Sequence, residues 1–271
     1  MQVALTIAGS DSGGGAGIQA DLKTFHQFGV FGTSAITAVT AQNTIGVTQW
    51  QAIPTDLVRA QIDAVASDLR PAAVKSGMLA NLAIVMTVAA AVHDHALPNY
   101  VLDPVMVATS GDLLIEREAM SAIRDHLIPL AALITPNAHE TAVITGITLR
   151  GEADMRRAAE VILRLGAKAV LIKGGHLDDG EARITDLFHD GEVTVFSHSR
   201  IRTTSTHGTG CTLSAAIAAA LAKGAGPVDA VASAIDFVHA AIETAPALGA
   251  GHGPLNHFAR DSSATKARTS D

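Results

Sequence analysis

The alternation of short β-branched segments with longer helical segments is the feature that most constrains the fold of this chain. Residues 3–7 have the composition of a buried strand, and residues 18–28 have the spacing of an amphipathic helix. The same order recurs along the chain until about residue 245. This βα order predicts an α/β fold in which a central, mostly parallel sheet lies between helical layers.

Length and composition indicate one large domain rather than two small ones. The chain has 271 residues, of which 48% are hydrophobic, so it can bury a sizeable core. The sequence after residue 250 is polar and rich in small residues. We therefore expect a single domain at residues 1–250, followed by a disordered tail at residues 251–271.

Charge and cysteine content exclude several classes of function. The formal net charge is −7 and no run is rich in lysine and arginine, which argues against a nucleic-acid or membrane partner. The single cysteine excludes an internal disulfide framework. The first residues lack the basic region of a signal peptide, and no apolar run is long enough to span a bilayer. We therefore expect a cytoplasmic protein.

Residues 206–217 combine a glycine-spaced turn with an alanine-rich helix. Gly208 and Gly210 allow backbone conformations that turn successive amides toward one point. With the positive end of the helix dipole, these amides form an anion hole suited to a phosphate. Cys211 lies at the mouth of the helix, where we expect the pKa of the thiol to be lowered so that it can act as a base or nucleophile. The alternative is an ordinary helix start with Cys211 as a small buried residue.

A second glycine-rich stretch, residues 9–17, follows the first predicted strand. It fits the dinucleotide pattern G-x-G-x-x-A, but residues 34–44 contain no acid that could hold a ribose. Its glycines instead indicate that the backbone lies close to a small flat substrate. Asp21, one turn into the next helix, is either a hydrogen-bond partner of that substrate or an acid that complements the helix dipole.

Gln42 lies near the end of a β-branched strand predicted at residues 32–44. An uncharged amide there can both donate to and accept from the edge of a heterocycle, although a satisfied loop amide is equally compatible. Residues 47–53 are predicted as the returning strand, which makes a small β flap. Thr55 is then predicted to cap the following helix.

Three polar side chains follow later strands. Asp103 ends a strand where the chain leaves the sheet, the position at which open parallel sheets bind ligands. Glu140, three residues after Asn137, is either the acid of a helix cap or, with Asp103, a carboxylate that organises a hydrated Mg²⁺. Lys173 ends another strand before two glycines, which suits a phosphate contact as well as a solvated lysine.

Seven stretches, in order, resemble the bacterial hydroxymethylpyrimidine/phosphomethylpyrimidine kinases of thiamine biosynthesis, within the ribokinase superfamily. They are residues 8–23, 37–44, 75–79, 103–106, 135–140, 173–176 and 207–212. The resemblance covers about residues 2–250. It implies a three-layer α/β/α ribokinase-like fold with a small β flap, and a homodimer. It also implies phosphorylation of 4-amino-5-hydroxymethyl-2-methylpyrimidine, and then of its monophosphate to the diphosphate, by ATP with Mg²⁺.

The resemblance also implies residues for the pyrimidine site. Asp21 and Gln42 would hydrogen-bond the pyrimidine. Gly9, Met78 and Val105 would line its pocket.

For the phosphate side, the resemblance implies that Asp103 and Glu140 act on Mg²⁺ through water. Residues implied to contact ATP are Lys173, Thr209 and Gly210. The amides from Gly208 to Cys211 would stabilise the transferring phosphoryl group. Cys211 would be the base, at a position where the wider superfamily has aspartate.

Three rival functions can be weighed against this one. A pyridoxal or pyridoxine kinase of the same superfamily is the nearest, and Gln42 and Met78 favour the aminopyrimidine over it. A dinucleotide oxidoreductase lacks the ribose-binding acid. A non-catalytic binding protein would be expected to lack Lys173, Glu140 or the glycine turn, and all three are present.

Overall fold

The computed structural model describes residues 1–106, 117–175 and 183–259; His176, in one of the stretches that carry the resemblance, lies outside them. The strands are β1 (Val3–Asp11), β2 (Phe31–Gln42), β3 (Val47–Ala52), β4 (Ala73–Ser76), β5 (Tyr100–Leu102), β6 (Leu133–Ile134), β7 (Val170–Ile172), β8 (Arg183–His189) and β9 (Val193–Ser199). The α-helices are α1 (Gly17–Gln27), α2 (Thr55–Asp68), α3 (Leu82–Asp94), α4 (Arg117–Ala122), α5 (Ala138–Thr145), α6 (Glu152–Arg164), α7 (Thr209–Ala222) and α8 (Pro227–Glu243).

Within the described residues the strands form one sheet in the order β3-β2-β1-β4-β5-β6-β7-β8-β9. The six strands from β2 to β7 in this order are mutually parallel, so their carboxyl ends meet at one edge. The outer strands β3, β8 and β9 each pair antiparallel with their neighbour. The predicted mostly parallel sheet and β flap are confirmed.

Successive residues of the central strands point to opposite faces of the sheet and pack into two separate cores. On β1, Leu5 packs into the core that contains α2, α3 and α6, whereas Ala4 packs into the core that contains α1, α7 and α8. Helix α7 is rich in buried alanines, and the residues packed on its side include Ala4 on β1, Ala73 on β4 and Ala169 just before β7. Because small residues allow close packing, the start of α7 is held firmly against the sheet. Helices on both faces make the three layers.

Two helix starts differ in how they are capped. Helix α2 begins at Thr55 after Pro54, and no side chain caps it, so the predicted Thr55 cap is wrong. Thr55 already lies inside the helix, where its hydroxyl is one position too late to serve as the N-cap acceptor. Helix α3 is capped by Asn81, whose Oδ1 accepts a hydrogen bond from the N–H of Ile84.

The segment after residue 250 is partly ordered, contrary to the expected disordered tail at residues 251–271. Leu255 is buried in the α7–α8 core, and the His207 N–H donates to the carbonyl of Gly253. The N–H of His252 donates to the carbonyl of Thr44, near the end of β2. Residues 251–259 therefore pack across the molecule because they supply apolar side chains and backbone partners that composition alone does not reveal. Residues 260–271 lie outside the described part of the chain.

In the part of the chain that the structure describes, no helix is both long enough and apolar enough to cross a bilayer.

Candidate active site

The glycine turn lies at the carboxyl edge of the sheet and leads directly into α7. Gly208 has a φ of 82°, a left-handed conformation that favours glycine. A Cβ added at Gly208 would overlap the carbonyl oxygen of Gly15, so the turn also packs closely on the first glycine-rich loop. The first amides of α7 and the positive end of its dipole face the same edge of the sheet. The geometry is that of an anion hole.

Lys173 and Asp103 lie beside this turn. The Lys173 Nζ donates to the Asp103 Oδ1 at 3.3 Å, and Asp103 also accepts hydrogen bonds from the hydroxyls of Thr135 and Ser214. A Cβ added at Gly210 would lie 3.3 Å from the Lys173 Nζ, so the ammonium faces the start of α7. The structure thus brings together Lys173, Asp103 and the glycine turn, which are far apart in sequence.

Thr209 is the first residue of α7. Its hydroxyl donates to the carbonyl of Thr206 at 2.7 Å, which fixes the side chain within the turn. The ATP contact predicted for Thr209 would therefore come from its backbone or from the remaining acceptor capacity of its hydroxyl.

Glu140 forms a capping box at the start of α5. Its Oε2 accepts from the N–H of Asn137 at 2.7 Å, and the Asn137 Oδ1 accepts from the N–H of Glu140 at 2.9 Å. Burial raises the pKa of Glu140 above its usual range, and the charge of Asp103 adds to this while Lys173 opposes it. The interpretation of Glu140 as the acid of a helix cap is therefore confirmed. This role does not exclude a second one in organising a cation.

The donor set suits Mg²⁺ that keeps its water ligands. Two buried carboxylates, Asp103 and Glu140, repel each other across the site, and a cation near both would relieve that repulsion. No group of three or more histidine, cysteine or acidic side chains in the described ranges is arranged to hold a metal directly. Because Mg²⁺ often binds through few carboxylates and several waters, these residues fit it.

Cys211 lies on the first turn of α7, which packs beside α1. The expectation of a lowered thiol pKa is wrong. Burial raises the pKa of Cys211 to about 11; Lys75 opposes the rise, and the carboxylates of Asp21 and Asp103 add to it. The helix start was expected to stabilise the thiolate, but the loss of solvation outweighs it.

Of the residues predicted to line the pyrimidine pocket, Gly9 and Met78 are in contact. A Cβ added at Gly9 would lie 3.1 Å from the Met78 Sδ, so these two predicted pocket residues share one wall. Val105 follows Asp103 closely, and its N–H donates to the carbonyl of that residue at 2.8 Å. Val105 packs against the same apolar core as Met78.

Gln42 reaches the glycine turn from the β flap. Its Nε2 lies 3.5 Å from the Nε2 of His207, and its Oε1 accepts from the hydroxyl of Thr40 at 3.2 Å. The amide therefore lies between the flap and the anion hole, where it could meet a ligand that spans both.

Asp21 is fully buried and already has partners. Its carboxylate oxygens accept hydrogen bonds from the Lys75 Nζ at 2.9 and 3.0 Å and from the hydroxyl of Thr6 at 2.6 Å. The side chain thus lies beneath the site, and a direct hydrogen bond to a pyrimidine would be an additional one.

Sequence reasoning missed three residues that shape the site. Asp11 accepts hydrogen bonds from the amides of the first glycine-rich loop and lies 2.8 Å from His207. Lys75 provides the buried cation. The signal for Lys75 was available, because a lysine within an apolar strand needs a buried partner. The pairing of Asp11 with His207 joins residues 196 positions apart and has no local signal.

Comparisons with known proteins identify the family. The model of the family described as phosphomethylpyrimidine kinase matches residues 11–256. The hydroxymethylpyrimidine/phosphomethylpyrimidine kinase of Rhizobium meliloti is 53% identical over 262 residues, which are 95% of this chain and 97% of the relative. That of Bacillus subtilis is 49% identical over 257 residues, covering 94% of each chain.

Solved structures agree on the fold. A pyridoxal kinase from Bacillus subtilis, in complex with ADP, matches with a TM-score of 0.88 and 41% identity, covering 96% of this chain and 98% of that one. The predicted ribokinase-like architecture is confirmed. With the family model spanning most of the sequence, this chain belongs to the phosphomethylpyrimidine kinase family.

Proposed function

We propose that this chain phosphorylates the hydroxymethyl group of 4-amino-5-hydroxymethyl-2-methylpyrimidine with ATP, and then converts the monophosphate to the diphosphate used in thiamine biosynthesis. The observation that carries the proposal is the convergence of Lys173, Asp103 and the Gly208 turn beside the only cysteine of the chain. This convergence occurs in a chain 53% identical to a kinase of that name.

The glycine turn stabilises the phosphoryl group in transfer. In a loose transition state, charge is spread over the equatorial oxygens, so fixed donors matter more than covalent chemistry. The amides from Gly208 to Cys211 and the positive end of α7 supply such donors in a site that is organised before the substrate arrives.

Lys173 binds the phosphates of ATP. Its ammonium faces the start of α7 next to Gly210, and the charges of Asp103 and Glu140 keep it protonated by raising its pKa against the effect of burial. A lysine acts on phosphate as a point charge, so it can remain close to the phosphate oxygens of ATP as they move during transfer. Gly210 and Thr209 contact the same phosphates from the turn.

Asp103 and Glu140 orient the water ligands of Mg²⁺. When bound, the ion supplies positive charge that neutralises the phosphate oxygens. Hydroxyls of Thr135 and Ser214 hold the Asp103 carboxylate in place, and the capping box holds Glu140. The two acids therefore need little rearrangement to accept hydrogen bonds from water.

The pyrimidine lies between the flap and the sheet. Gln42 hydrogen-bonds the ring edge, because its amide can donate and accept at once. Gly9, Met78 and Val105 provide apolar contact with the ring, and Gly9 leaves room for a flat ligand over Met78. Asp21 lies beneath the pyrimidine site and fixes the position of Lys75 there through their hydrogen bonds.

Cys211 accepts the proton of the substrate hydroxyl. Only the thiolate can do so, and burial raises the pKa of the thiol to about 11. In a loose transition state the hydroxyl proton leaves late, after the forming bond from oxygen to phosphorus has made the hydroxyl acidic. A small fraction of thiolate, stabilised by nearby cations, is therefore sufficient to accept this proton.

Pyridoxal phosphorylation is the second candidate. It is favoured by the match in fold to the Bacillus subtilis pyridoxal kinase. The higher identity to the hydroxymethylpyrimidine/phosphomethylpyrimidine kinases, and the amide of Gln42 for an aminopyrimidine edge, favour the pyrimidine.

The two candidates are separated by one kinetic comparison. ADP release is followed with ATP and Mg²⁺, and kcat/KM is measured for the hydroxymethylpyrimidine and for pyridoxal under the same conditions. A higher kcat/KM for the pyrimidine supports the proposal. A higher value for pyridoxal would keep the anion hole and overturn the roles given to Gln42 and Met78.

The proposal treats residues 1–250 as one kinase domain that acts as a homodimer. One sheet runs through the described residues, which supports a single domain. Among the described strands β3 lies at the edge of the sheet and leaves Trp50 39% exposed, which supports association through this edge. Light scattering would give twice the mass of the chain for a dimer and the chain mass itself for a monomer.

A further inference from the structure

Lys75 and Asp21 form a fully buried ion pair beneath the site. The Lys75 Nζ donates to both carboxylate oxygens of Asp21, and both side chains have 0% exposure. Burying two charges loses solvation free energy that well-packed apolar residues of similar size would not lose. A contribution to stability is therefore a weak reason for the presence of this pair. A role in the chemistry of the neighbouring site is a stronger one.

The position of this pair relative to Cys211 follows from the face of the sheet on which it lies. Ala73, two residues before Lys75 on β4, packs into the core that contains α1 and α7, so the Lys75 side chain points to the same face. Helix α7 packs against both β4 and α1, the helix that carries Asp21. The ion pair therefore lies between the sheet and the helices α1 and α7, and Cys211 is on the first turn of α7.

The ammonium of Lys75 has a donor to spare. A lysine carries three N–H groups, and in the described part of the chain the only acceptors at hydrogen-bond distance from the Nζ are the two oxygens of Asp21. The Nζ also comes close to the backbone at Gly77, where an added Cβ would lie 2.9 Å away. The charge is thus fixed in a narrow space between β4 and α1.

Four charged groups act on the thiol from different elements. Lys75 on β4 lowers the pKa of Cys211, whereas Asp21 on α1 and Asp103 after β5 raise it. Lys173, after β7, interacts with the same thiol. Of the two cations, Lys173 is assigned to ATP, which leaves Lys75 as the cation that stays available to the sulfur when phosphates are bound.

We propose that Lys75 is a positioning residue for the phosphoryl transfer: its ammonium, held by Asp21, stabilises the thiolate of Cys211. The inference rests on the proposed function, in which that thiolate takes the hydroxyl proton. The O–H bond breaks and an S–H bond forms while the oxygen electron pair bonds to the γ-phosphorus. The bond from phosphorus to the bridging oxygen breaks and ADP leaves with that electron pair. Lys75 keeps its proton throughout.

The single cysteine makes a direct test possible. Iodoacetamide reacts with thiolate, so its rate with the intact protein, read by mass spectrometry from pH 7 to 10, reports the charge state of Cys211 alone. Lys75→Met should slow alkylation at pH 8 by about tenfold, the effect of removing a nearby opposite charge. Asp21→Asn, which frees the ammonium from its partner, should speed it by a similar factor.

Two further variants control for damage to the fold. Asp21→Asn combined with Lys75→Met leaves no unpaired buried charge, and its rate should fall below that of Asp21→Asn alone. Lys168→Met removes an exposed lysine before β7 and should leave the rate unchanged. If Lys75→Met does not fold, the comparison of Asp21→Asn with the double variant still decides the question.

Shifts of opposite sign in the two single variants support the proposal, because simple loosening of the structure would speed alkylation in both. Equal profiles, or acceleration in both, would overturn it. Turnover separates this inference from the proposed function: wild-type kcat in Cys211→Ala would remove the base, whereas the alkylation profile would still decide whether Lys75 sets the charge of the thiol.

Discussion

The Nε2 atom of His207 lies 2.8 Å from the Oδ2 atom of Asp11, and both side chains are buried. This contact joins the end of β1 to the turn that begins α7. Asp11 also accepts hydrogen bonds from the N–H groups of Gly13, Gly15 and Ala16. The two glycine-rich stretches are thus held together by one carboxylate, which fixes the Gly208 turn against the first glycine-rich loop.

Asp11→Asn should therefore weaken both stability and turnover. Burial alone would raise the pKa of Asp11, but its hydrogen bonds from His207 and the loop amides lower it, so the side chain is a carboxylate in the folded protein. Replacing it removes charge-assisted bonds and should cost about 2 kcal/mol in free energy of unfolding. Urea unfolding measures this cost, with the exposed Asp68→Asn as the control. An unchanged midpoint in Asp11→Asn would show that the contact does not hold the loops together.

Gln42→Ala should weaken binding of the pyrimidine more than binding of ATP. Loss of an amide that pairs with a ring edge typically leaves one or two polar groups unsatisfied, so KM for the pyrimidine should rise by about tenfold. Gln49→Ala, on the exposed face of β3, is the matched control. Steady-state kinetics with each substrate varied in turn gives both constants. Equal increases in the two KM values would count against ring recognition by Gln42.

Cys211→Ala should lower kcat while leaving the affinity for the pyrimidine nearly unchanged. Removal of a general base typically costs about 100-fold or more in rate. The glycine turn remains, so residual activity should persist from the backbone amides. Calorimetric titration with the pyrimidine and a turnover assay separate the two effects. An unchanged kcat would take Cys211 out of the reaction.

His257 should make the protein less stable in acid. Burial, followed by the charge of Lys23, lowers the pKa of His257 from 6.5 to about 4. The unfolded chain therefore takes up a proton before the folded one, and stability is lost as the pH falls through this window. The full loss is about 3 kcal/mol.

Replacing His257 by asparagine removes this titration and can keep a hydrogen bond to Thr212, the present partner of the ring at 3.1 Å. Free energies of unfolding at pH 7 and pH 4.5 should then differ less in His257→Asn than in the wild type. His26→Asn, at an exposed site on α1, should follow the wild type. Identical pH dependence in all three proteins would contradict the assignment.

The sequence was sufficient for the sheet and for the placement of Asp103, Lys173 and the Gly208 turn at one edge of it. Periodicity predicts the strands, and polar residues that end parallel strands must meet at one edge, which is why Asp103 and Lys173 could be expected near each other. The glycine spacing at Gly208 predicts a tight turn before a helix. These features are local, or follow from the topology alone.

Other features depend on contacts that no local pattern reveals. The pairs Asp21–Lys75 and Asp11–His207 join residues far apart in sequence, and their partners decide what each acid can do. The thiol of Cys211 was assigned a lowered pKa from its place at a helix start, but its desolvation by the surrounding residues, which only the packed structure shows, reverses the direction. The segment at residues 251–259 is polar on average, yet Leu255 anchors it.

The central claim is that this site transfers phosphoryl groups to a pyrimidine alcohol. It is tested most directly by mass spectrometry of the products formed from the hydroxymethylpyrimidine, ATP and Mg²⁺, with Lys173→Ala as a control that lacks the ATP-facing ammonium. The account predicts the monophosphate first and then the diphosphate, with both reduced in the control. Release of ADP without any phosphorylated pyrimidine would contradict it.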